Sequence, residues 1–80
     1  MITIDLKATG DNIKRLRDVN GLTNMDLQNA FGFNTQQALF KWFRGDALPT
    51  VDNLVILADL FGVTVDQILV TRRVIETMAA

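Results

Sequence analysis

Residues 23–45, which read TNMDLQNAFGFNTQQALFKWFRG, decide the fold of this chain of 80 residues. Thr23 is followed three residues later by Asp26, a variant of the capping box that marks the start of a helix. Gly32 ends that helix, because glycine readily takes the left-handed conformation of a C-terminal cap. A second helix begins at residue 34 or 35 and ends at residues 44–45. The stretch therefore predicts two short helices joined by a tight turn.

The second of these helices has two chemically different sides. At about 100° per residue, the apolar side chains share one arc of the helix: Ala38, Leu39, Trp42 and Phe43. The opposite arc presents amides, cations and one phenylalanine, namely Gln36, Gln37, Phe40, Lys41 and Arg44. We expect the first arc to pack in the core and the second to face outward. A polar arc alone is more often a solvated helix face than a binding site, so its function depends on the rest of the chain.

Three further helices are predicted around this pair. The first begins between residues 5 and 11 and ends near residue 20. The fourth covers residues 51–61, and a short fifth helix follows it. Their boundary residues are Gly21 after the first, Thr50 and Gly62 around the fourth, and Thr64 with Gln67 as a capping box for the fifth. The predicted fold class is therefore all-α, with five helices and very short connections.

The length of the chain predicts a single domain. Residues 1–8 are interpreted as an N-terminal arm or the start of the first helix. Residues 9–70 are interpreted as the helical domain, and residues 71–80 as a C-terminal tail for which the sequence predicts no structure.

The composition narrows the classes of function. The chain has no cysteine, histidine or tyrosine, so it lacks thiolate metal ligands, imidazole bases and phenol acids. We therefore expect a binding module, not an enzyme, and no cofactor. Asp52, Asp59 and Asp66 are too widely spaced along the chain for a metal site. The longest uncharged apolar run, residues 54–58, is too short to cross a bilayer, and the lack of cysteine agrees with a cytoplasmic location.

The charges are unevenly distributed along the chain. The net charge of −1 argues against a nucleic-acid partner when it is taken as a sum. However, residues 27–45 contain no acidic residue, whereas residues 46–70 contain four aspartates and no lysine or arginine. The first helix adds Lys14, Arg15 and Arg17. The sequence therefore predicts a basic side and an acidic side.

Three motifs occur in a characteristic order. These are G-L-T at residues 21–23, K-W-x-R-G-x-x-x-P at residues 41–49 and L-A-x-x-F-G-V-x-x-D at residues 57–66. In this order the chain resembles the Cro/lambda-repressor class of helix-turn-helix domains, the XRE-like family, over about residues 9–69. The resemblance implies five helices with the helix-turn-helix at helices 2 and 3. It also implies a sequence-specific transcriptional regulator of the repressor type, which inserts helix 3 into the major groove of double-stranded DNA and binds as a homodimer.

The resemblance assigns roles at the start of helices 2 and 3. Asn24 matches the amide that opens the second helix and holds a DNA phosphate. Thr35, Gln36 and Gln37 match the base-reading start of the recognition helix. An amide both donates and accepts a hydrogen bond, so a glutamine here suits adenine in the major groove.

Further contacts are expected along the same arc of helix 3. Lys41 matches a later base or phosphate contact, and Arg44 matches the polar residue before the final glycine. Phe40 contacts a thymine methyl group, forms a partner surface, or is simply exposed. Two positions depart from the family: the turn at residues 32–35 is one residue longer than usual, and Gln28 stands where the family prefers alanine.

Two further hypotheses concern protein partners. The homodimer surface is expected to involve the fifth helix and the tail over residues 68–78, where four apolar side chains have no obvious core: Val70, Val74, Ile75 and Met78. The alternative function is a protein-interaction module, or an antitoxin-type protein that binds a partner through the same fold. That surface would combine Phe40 with the acidic side of the fourth helix.

Overall fold

Five helices in the predicted order form the body of the molecule. Two short strands, one before the first helix and one after the fifth, pair with each other. The computed structural model describes residues 1–75. The elements are β1 (Ile2–Ile4), α1 (Leu6–Val19), α2 (Asn24–Phe31), α3 (Gln37–Arg44), α4 (Val51–Phe61), α5 (Val65–Ile68) and β2 (Thr71–Arg73). The five-helix prediction, with the helix-turn-helix at α2 and α3, is confirmed.

The two strands are a feature that the sequence analysis did not predict. β1 pairs with β2 in antiparallel orientation, with Ile4 opposite Thr71 and Ile2 opposite Arg73. The arm expected at residues 1–8 is therefore a strand followed by the first turn of α1, and the tail expected at residues 71–80 begins as a strand. Such short strands carry little local signal, because their stability comes from a partner far away in sequence.

The capping predictions for α2 and α5 are confirmed. The Asp26 N–H donates to the Thr23 hydroxyl over 3.1 Å, and the Thr23 N–H donates to the Asp26 carboxylate over 2.8 Å. At α5, the Thr64 N–H donates to the side-chain oxygen of Gln67 over 2.9 Å. Gly32 ends α2 with a positive φ of 69°, which a side chain would disfavour. Each of these residues sets a helix end through local contacts alone.

α3 begins later than the sequence predicts. It starts at Gln37, with Gln36 as its N-cap residue, and not at residue 34 or 35. The cause is Phe33, whose ring stacks on Phe31 with 5.1 Å between the ring centroids. The Phe33 side chain packs against the core, and residues 34–36 then connect it to the first residue of α3. Thr35 therefore lies in the turn and not in the recognition helix.

α1 and α3 pack against each other at the centre of the fold. Gly10 makes the close approach possible, because a Cβ atom there would lie only 2.1 Å from the Trp42 carbonyl oxygen. The predicted inner arc of α3 is confirmed, since Leu39, Trp42 and Phe43 are buried and Ala38 is half-buried against the core. Ile68 is also completely buried in the core, so its expected place in a dimer surface was wrong.

Candidate nucleic-acid interface

The outer face of α3 is the first part of the candidate site. Gln37, Phe40, Lys41 and Arg44 are all exposed and line one shallow depression of about 360 Å³. Phe40 is 43% exposed, and its ring meets the buried Phe43 edge to face with 6.4 Å between the centroids. The structure therefore brings together on one surface four of the residues that the sequence analysis selected.

Gln36 lies beside this face and is held by a chain of side-chain amides. The Gln28 Nε2 donates to the Phe33 carbonyl oxygen over 3.1 Å, and the Gln36 Nε2 donates to the Gln28 Oε1 over 3.2 Å. Because a carbonyl oxygen can only accept, Gln28 must turn its NH2 group to Phe33 and its oxygen to Gln36. Both departures from the family pattern, the longer turn and the larger side chain, thus meet in one hydrogen-bonded network.

Asn24 opens α2 and is oriented by Arg17 of α1. The Arg17 Nη1 donates to the Asn24 Oδ1 over 2.5 Å. Among residues 1–75 no buried side-chain nitrogen or oxygen lacks a hydrogen-bond partner, and the Asn24 Nδ2 has none. This NH2 group is therefore open to solvent at the start of a helix, where backbone N–H groups and the helix dipole favour an anion.

A basic cleft adjoins the α3 face on the side of α1, and we call it the α1–α3 cleft. It has a volume of about 510 Å³. Its lining residues are Lys7, Lys14, Arg17, Asn24, Phe40, Phe43 and Arg44. The lining contains four cations and no carboxylate. Phe40 and Arg44 line both this cleft and the depression along α3, so the two surfaces are continuous.

The cations near this surface differ in how they are paired. Three ion pairs occur among the described residues: Lys7–Asp11 at 2.7 Å, Arg17–Asp18 at 2.8 Å and Arg44–Asp46 at 2.8 Å. The Lys7–Asp11 and Arg44–Asp46 pairs are exposed, and such pairs are worth little because solvent screens the charges. Within residues 1–75, Lys14 and Lys41 make no ion pair. Lys14 belongs to the basic side that the sequence predicts, but no sequence motif marks it as a site residue.

Three aspartates lie on α4 and α5. Asp52, Asp59 and Asp66 are all exposed. The Thr50 hydroxyl donates to the Asp52 carboxylate and holds the pKa of that group below its usual value. In the part of the chain that the structure describes, no group of three acidic side chains could hold a metal ion. None of the helices found in that part is long and apolar enough to cross a membrane.

Two solved structures are similar to this chain. The restriction-modification controller protein C.AhdI from Aeromonas hydrophila has a TM-score of 0.69 and 22% sequence identity, over 80% of this chain and 96% of that chain. The DNA-binding domain of BldD has a TM-score of 0.65 and 28% identity, over 80% of this chain and 92% of that chain. No curated protein is significantly similar to this chain in sequence.

The family assignment rests on a match to the sequence itself. The profile of a family described as helix-turn-helix matches residues 13–68, from within α1 to the last residue of α5. The match includes the whole α2–turn–α3 unit, whose capping, turn and exposed outer face are described above. The chain therefore belongs to the helix-turn-helix family.

Proposed function

We propose that this chain is a sequence-specific DNA-binding transcription regulator that inserts α3 into the major groove. The observation that carries the proposal is the outer face of α3, where Gln37, Lys41 and Arg44 lie exposed, and Arg44 also lines the cleft that contains the amide of Asn24. The similarity to the DNA-binding domain of BldD supports it. In this proposal the chain is a binding module without catalytic activity that works in the cytoplasm and binds double-stranded DNA.

The site residues divide into those that read bases and those that hold phosphates. Gln36 and Gln37 lie at the start of α3, and the first residues of a recognition helix meet base edges. Lys41 and Arg44 lie later on the helix, where they contact the sugar–phosphate backbone. Asn24 donates its free amide to a phosphate at the start of α2.

Thr35 and Phe40 have supporting roles in this proposal. The Thr35 hydroxyl accepts a hydrogen bond from the Gln37 N–H over 3.4 Å, so its own hydrogen remains free to donate to a phosphate. The exposed ring of Phe40 lies within the α3 face and contacts a thymine methyl group.

The regulator binds DNA as a homodimer in this proposal. One short α3 makes too few base contacts for genomic specificity, and paired recognition helices lie about 34 Å apart on one side of DNA. Val70 and Val74 are half-buried and Ile75 is 81% exposed, which leaves apolar surface beyond α5 for a partner subunit. Met78, also expected in this surface, lies outside the described residues. Sedimentation with and without a palindromic duplex measures the stoichiometry.

A second function is favoured by the exposed side of α4. Val51 is 78% exposed and Val55 is 56% exposed, beside Asp52 and Asp59. Such a mixed apolar and acidic surface suits a basic protein partner, as in a protein-interaction module or an antitoxin. This function would leave α3 as a solvated helix.

Site selection followed by a salt titration tests the proposed function. A duplex selected from random sequences and a scrambled duplex are compared at several salt concentrations. Regulation of the proposed kind predicts tighter binding to the selected duplex. It also predicts that the logarithm of the association constant falls linearly with the logarithm of the salt concentration, with a slope of about −0.9 for each phosphate contacted. Failure to select any sequence, with no salt-dependent binding to either duplex, would favour the protein-interaction module.

A further inference from the structure

We infer that the α1–α3 cleft binds the sugar–phosphate backbone of one DNA strand, with Lys14 of α1 as its free phosphate ligand. This inference rests on the proposed function and extends it, because it makes α1 a third DNA-contacting element. The cleft extends beyond the helix-turn-helix unit, because residues of α1 line it together with residues of α2 and α3.

The position of the cleft matches the path of a DNA strand. Phe40 and Arg44 belong both to the α3 face and to the cleft, so DNA in contact with α3 necessarily lies against the cleft opening. Asn24 contributes an open NH2 group to the same lining. A DNA backbone that extends from the α3 face into the cleft therefore meets hydrogen-bond donors from three helices: Arg44 of α3, Asn24 of α2 and Lys14 of α1.

The charge of the cleft selects an anion. Its lining has four cations and no carboxylate, although the whole chain has a net charge of −1. A volume of about 510 Å³ lies within the range of small-ligand sites, roughly 300–1,000 Å³. The space is therefore large enough for a phosphate group together with its sugar.

The Phe43 ring at the base of the cleft positions two of its cations, Lys14 and Arg17. The Lys14 Nζ lies 5.9 Å from the centroid of the Phe43 ring, and the Arg17 guanidinium lies 5.4 Å from it. Both are at the distance of a cation–π contact, which favours a cation above the ring face. The buried ring also replaces water beneath these charges, so their attraction for an anion is screened less than on an open surface.

The two cations above Phe43 have different tasks. Arg17 is 16% exposed at its side chain and already bonds Asn24 and Asp18, so it is a positioning residue that turns the Asn24 NH2 group outward. Lys14 is exposed and makes no ion pair within residues 1–75. Lys14 is therefore the residue whose ammonium group is free to bind a phosphate.

A matched pair of substitutions in α1 tests this inference. Lys14→Gln removes the charge in the cleft, whereas Arg15→Gln removes the same charge from the next residue. Arg15 is exposed, bonds Asn12 and does not line the cleft. Lys14→Gln is expected to lower the salt slope by about one unit and to weaken selected and scrambled duplexes alike, by roughly threefold to tenfold. Arg15→Gln is expected to leave the slope unchanged.

The outcomes separate this inference from the proposed function. If Lys14→Gln and Arg15→Gln lower the salt slope equally, the effect is the general field of the protein and the site is overturned. A normal slope in Lys14→Gln, with a reduced slope in Arg44→Ala, overturns the cleft alone. Absence of salt-dependent DNA binding by the unmodified chain overturns the proposed function itself. Titration with inorganic phosphate, monitored by the NMR signals of the Phe43 ring, identifies a free-anion site if those signals saturate while Lys14→Gln leaves DNA binding unchanged.

The amide chain between Gln28 and Gln36 carries a second inference, independent of the cleft. We propose that Gln28 is a specificity-determining positioning residue that makes Gln36 select adenine. The Gln36 Oε1 has no hydrogen-bond partner among the described residues, and since no such atom there is buried, it is open to solvent. Gln36 therefore presents one acceptor and one remaining N–H, because its other N–H is used by Gln28.

This pattern matches one base edge in the major groove. Adenine offers an N6 donor and an N7 acceptor, whereas guanine offers two acceptors, N7 and O6. One remaining N–H cannot satisfy both acceptors of guanine, and the Gln36 Oε1 would face O6 without a proton between them. Gln28 thus determines the preference of Gln36 for adenine over guanine without itself contacting the base.

Two alanine substitutions in α2 test the role of Gln28. Gln28→Ala removes the amide chain, and Asn29→Ala truncates the exposed neighbour, for which no side-chain hydrogen bond is found in the described residues. Site selection with the unmodified chain is expected to give adenine at one position of each half-site. Gln28→Ala is expected to reduce the preference for adenine over guanine there by about tenfold, while Asn29→Ala keeps it. An unchanged preference in Gln28→Ala overturns the inference, as does selection of a defined site without that adenine.

Discussion

The α3 side and the α4 side of this molecule use their charges in opposite ways. On α4, the charge of Asp52 is used within the helix itself, since the carboxylate accepts from the Thr50 hydroxyl in the first turn and complements the helix dipole. On the α3 side, Lys41 and Lys14 make no ion pair within residues 1–75 and lie on a continuous surface with exposed amides.

The difference shows why the net charge of a small domain is a poor guide to its partner. The sum of −1 combines Asp52, whose charge stabilises a helix, with Lys14 and Lys41, which make no ion pair within residues 1–75. Which residues surround a charge matters more than how many charges the chain has. Four substitutions, taken in order of expected effect, test this contrast.

Trp42→Ala is expected to have the largest effect, because it removes the inner support of the α3 face. Trp42 is 5% exposed and lies edge-on to Phe31, with 5.4 Å between the ring centroids. We expect the free energy of unfolding to fall by about 3–5 kcal/mol. That is a large part of the total of roughly 4–12 kcal/mol for a chain of this length. Urea denaturation measures the change, with Phe40→Ala as the exposed control. A Trp42→Ala protein that keeps its stability and loses only DNA binding would contradict the buried position.

Gln37→Ala tests whether the α3 face reads bases. The exposed amide is expected to contribute about 1–3 kcal/mol to binding of the selected duplex and to set the preference at one base pair. Binding to a scrambled duplex should change little. Fluorescence anisotropy with both duplexes measures the difference. Equal weakening of the two would mean that the longer turn keeps Gln37 away from the bases.

Arg44→Ala tests the phosphate contacts at the end of α3, against Asp59→Asn on the α4 side. Arg44→Ala is expected to weaken all duplexes about equally and to lower the salt slope by about one unit. Asp59→Asn changes the net charge by the same amount in the opposite direction, but on the side that the proposed DNA complex leaves free. Its slope should match that of the unmodified chain. Equal and opposite slope changes in the two variants would mean that only the total charge matters.

Thr50→Val is expected to have the smallest effect, and it concerns the α4 side alone. Loss of the hydroxyl should raise the pKa of Asp52 toward its usual value, because the hydrogen bond that lowers it is removed. A lowered pKa in the folded state stabilises the fold above the ordinary pKa of aspartate, and this contribution disappears as the pH falls through the lowered value. The stability difference from the unmodified chain should therefore be present at neutral pH and shrink in acid.

NMR titration of the Asp52 carboxyl carbon measures that pKa directly. Thr50→Ser keeps a hydroxyl and should keep the lowered value. DNA affinity at neutral pH should be the same in all three proteins. A weaker affinity in Thr50→Val would show that the two sides of the molecule are coupled.

The sequence by itself determined the five helices, the capping boxes of α2 and α5, and the division of α3 into a buried and an exposed arc. These features depend on residues three or four positions apart, as in the Thr23–Asp26 box, so the local pattern encodes them. The exposure of Gln37, Lys41 and Arg44 follows from the same periodicity. Their contacts with DNA stay predictions.

The tertiary structure alone decided four other features. These are the pairing of β1 with β2, the later start of α3, the amide chain through Gln28 and the cleft in which Lys14 lies over Phe43. Each joins side chains or backbone groups that no helical or strand periodicity relates, and their meeting depends on how closely the elements pack. Gly10 shows the physical reason, since the approach of α1 to α3 depends on the absence of one methyl group. That distance brings α1 and its lysine to the edge of the α3 face.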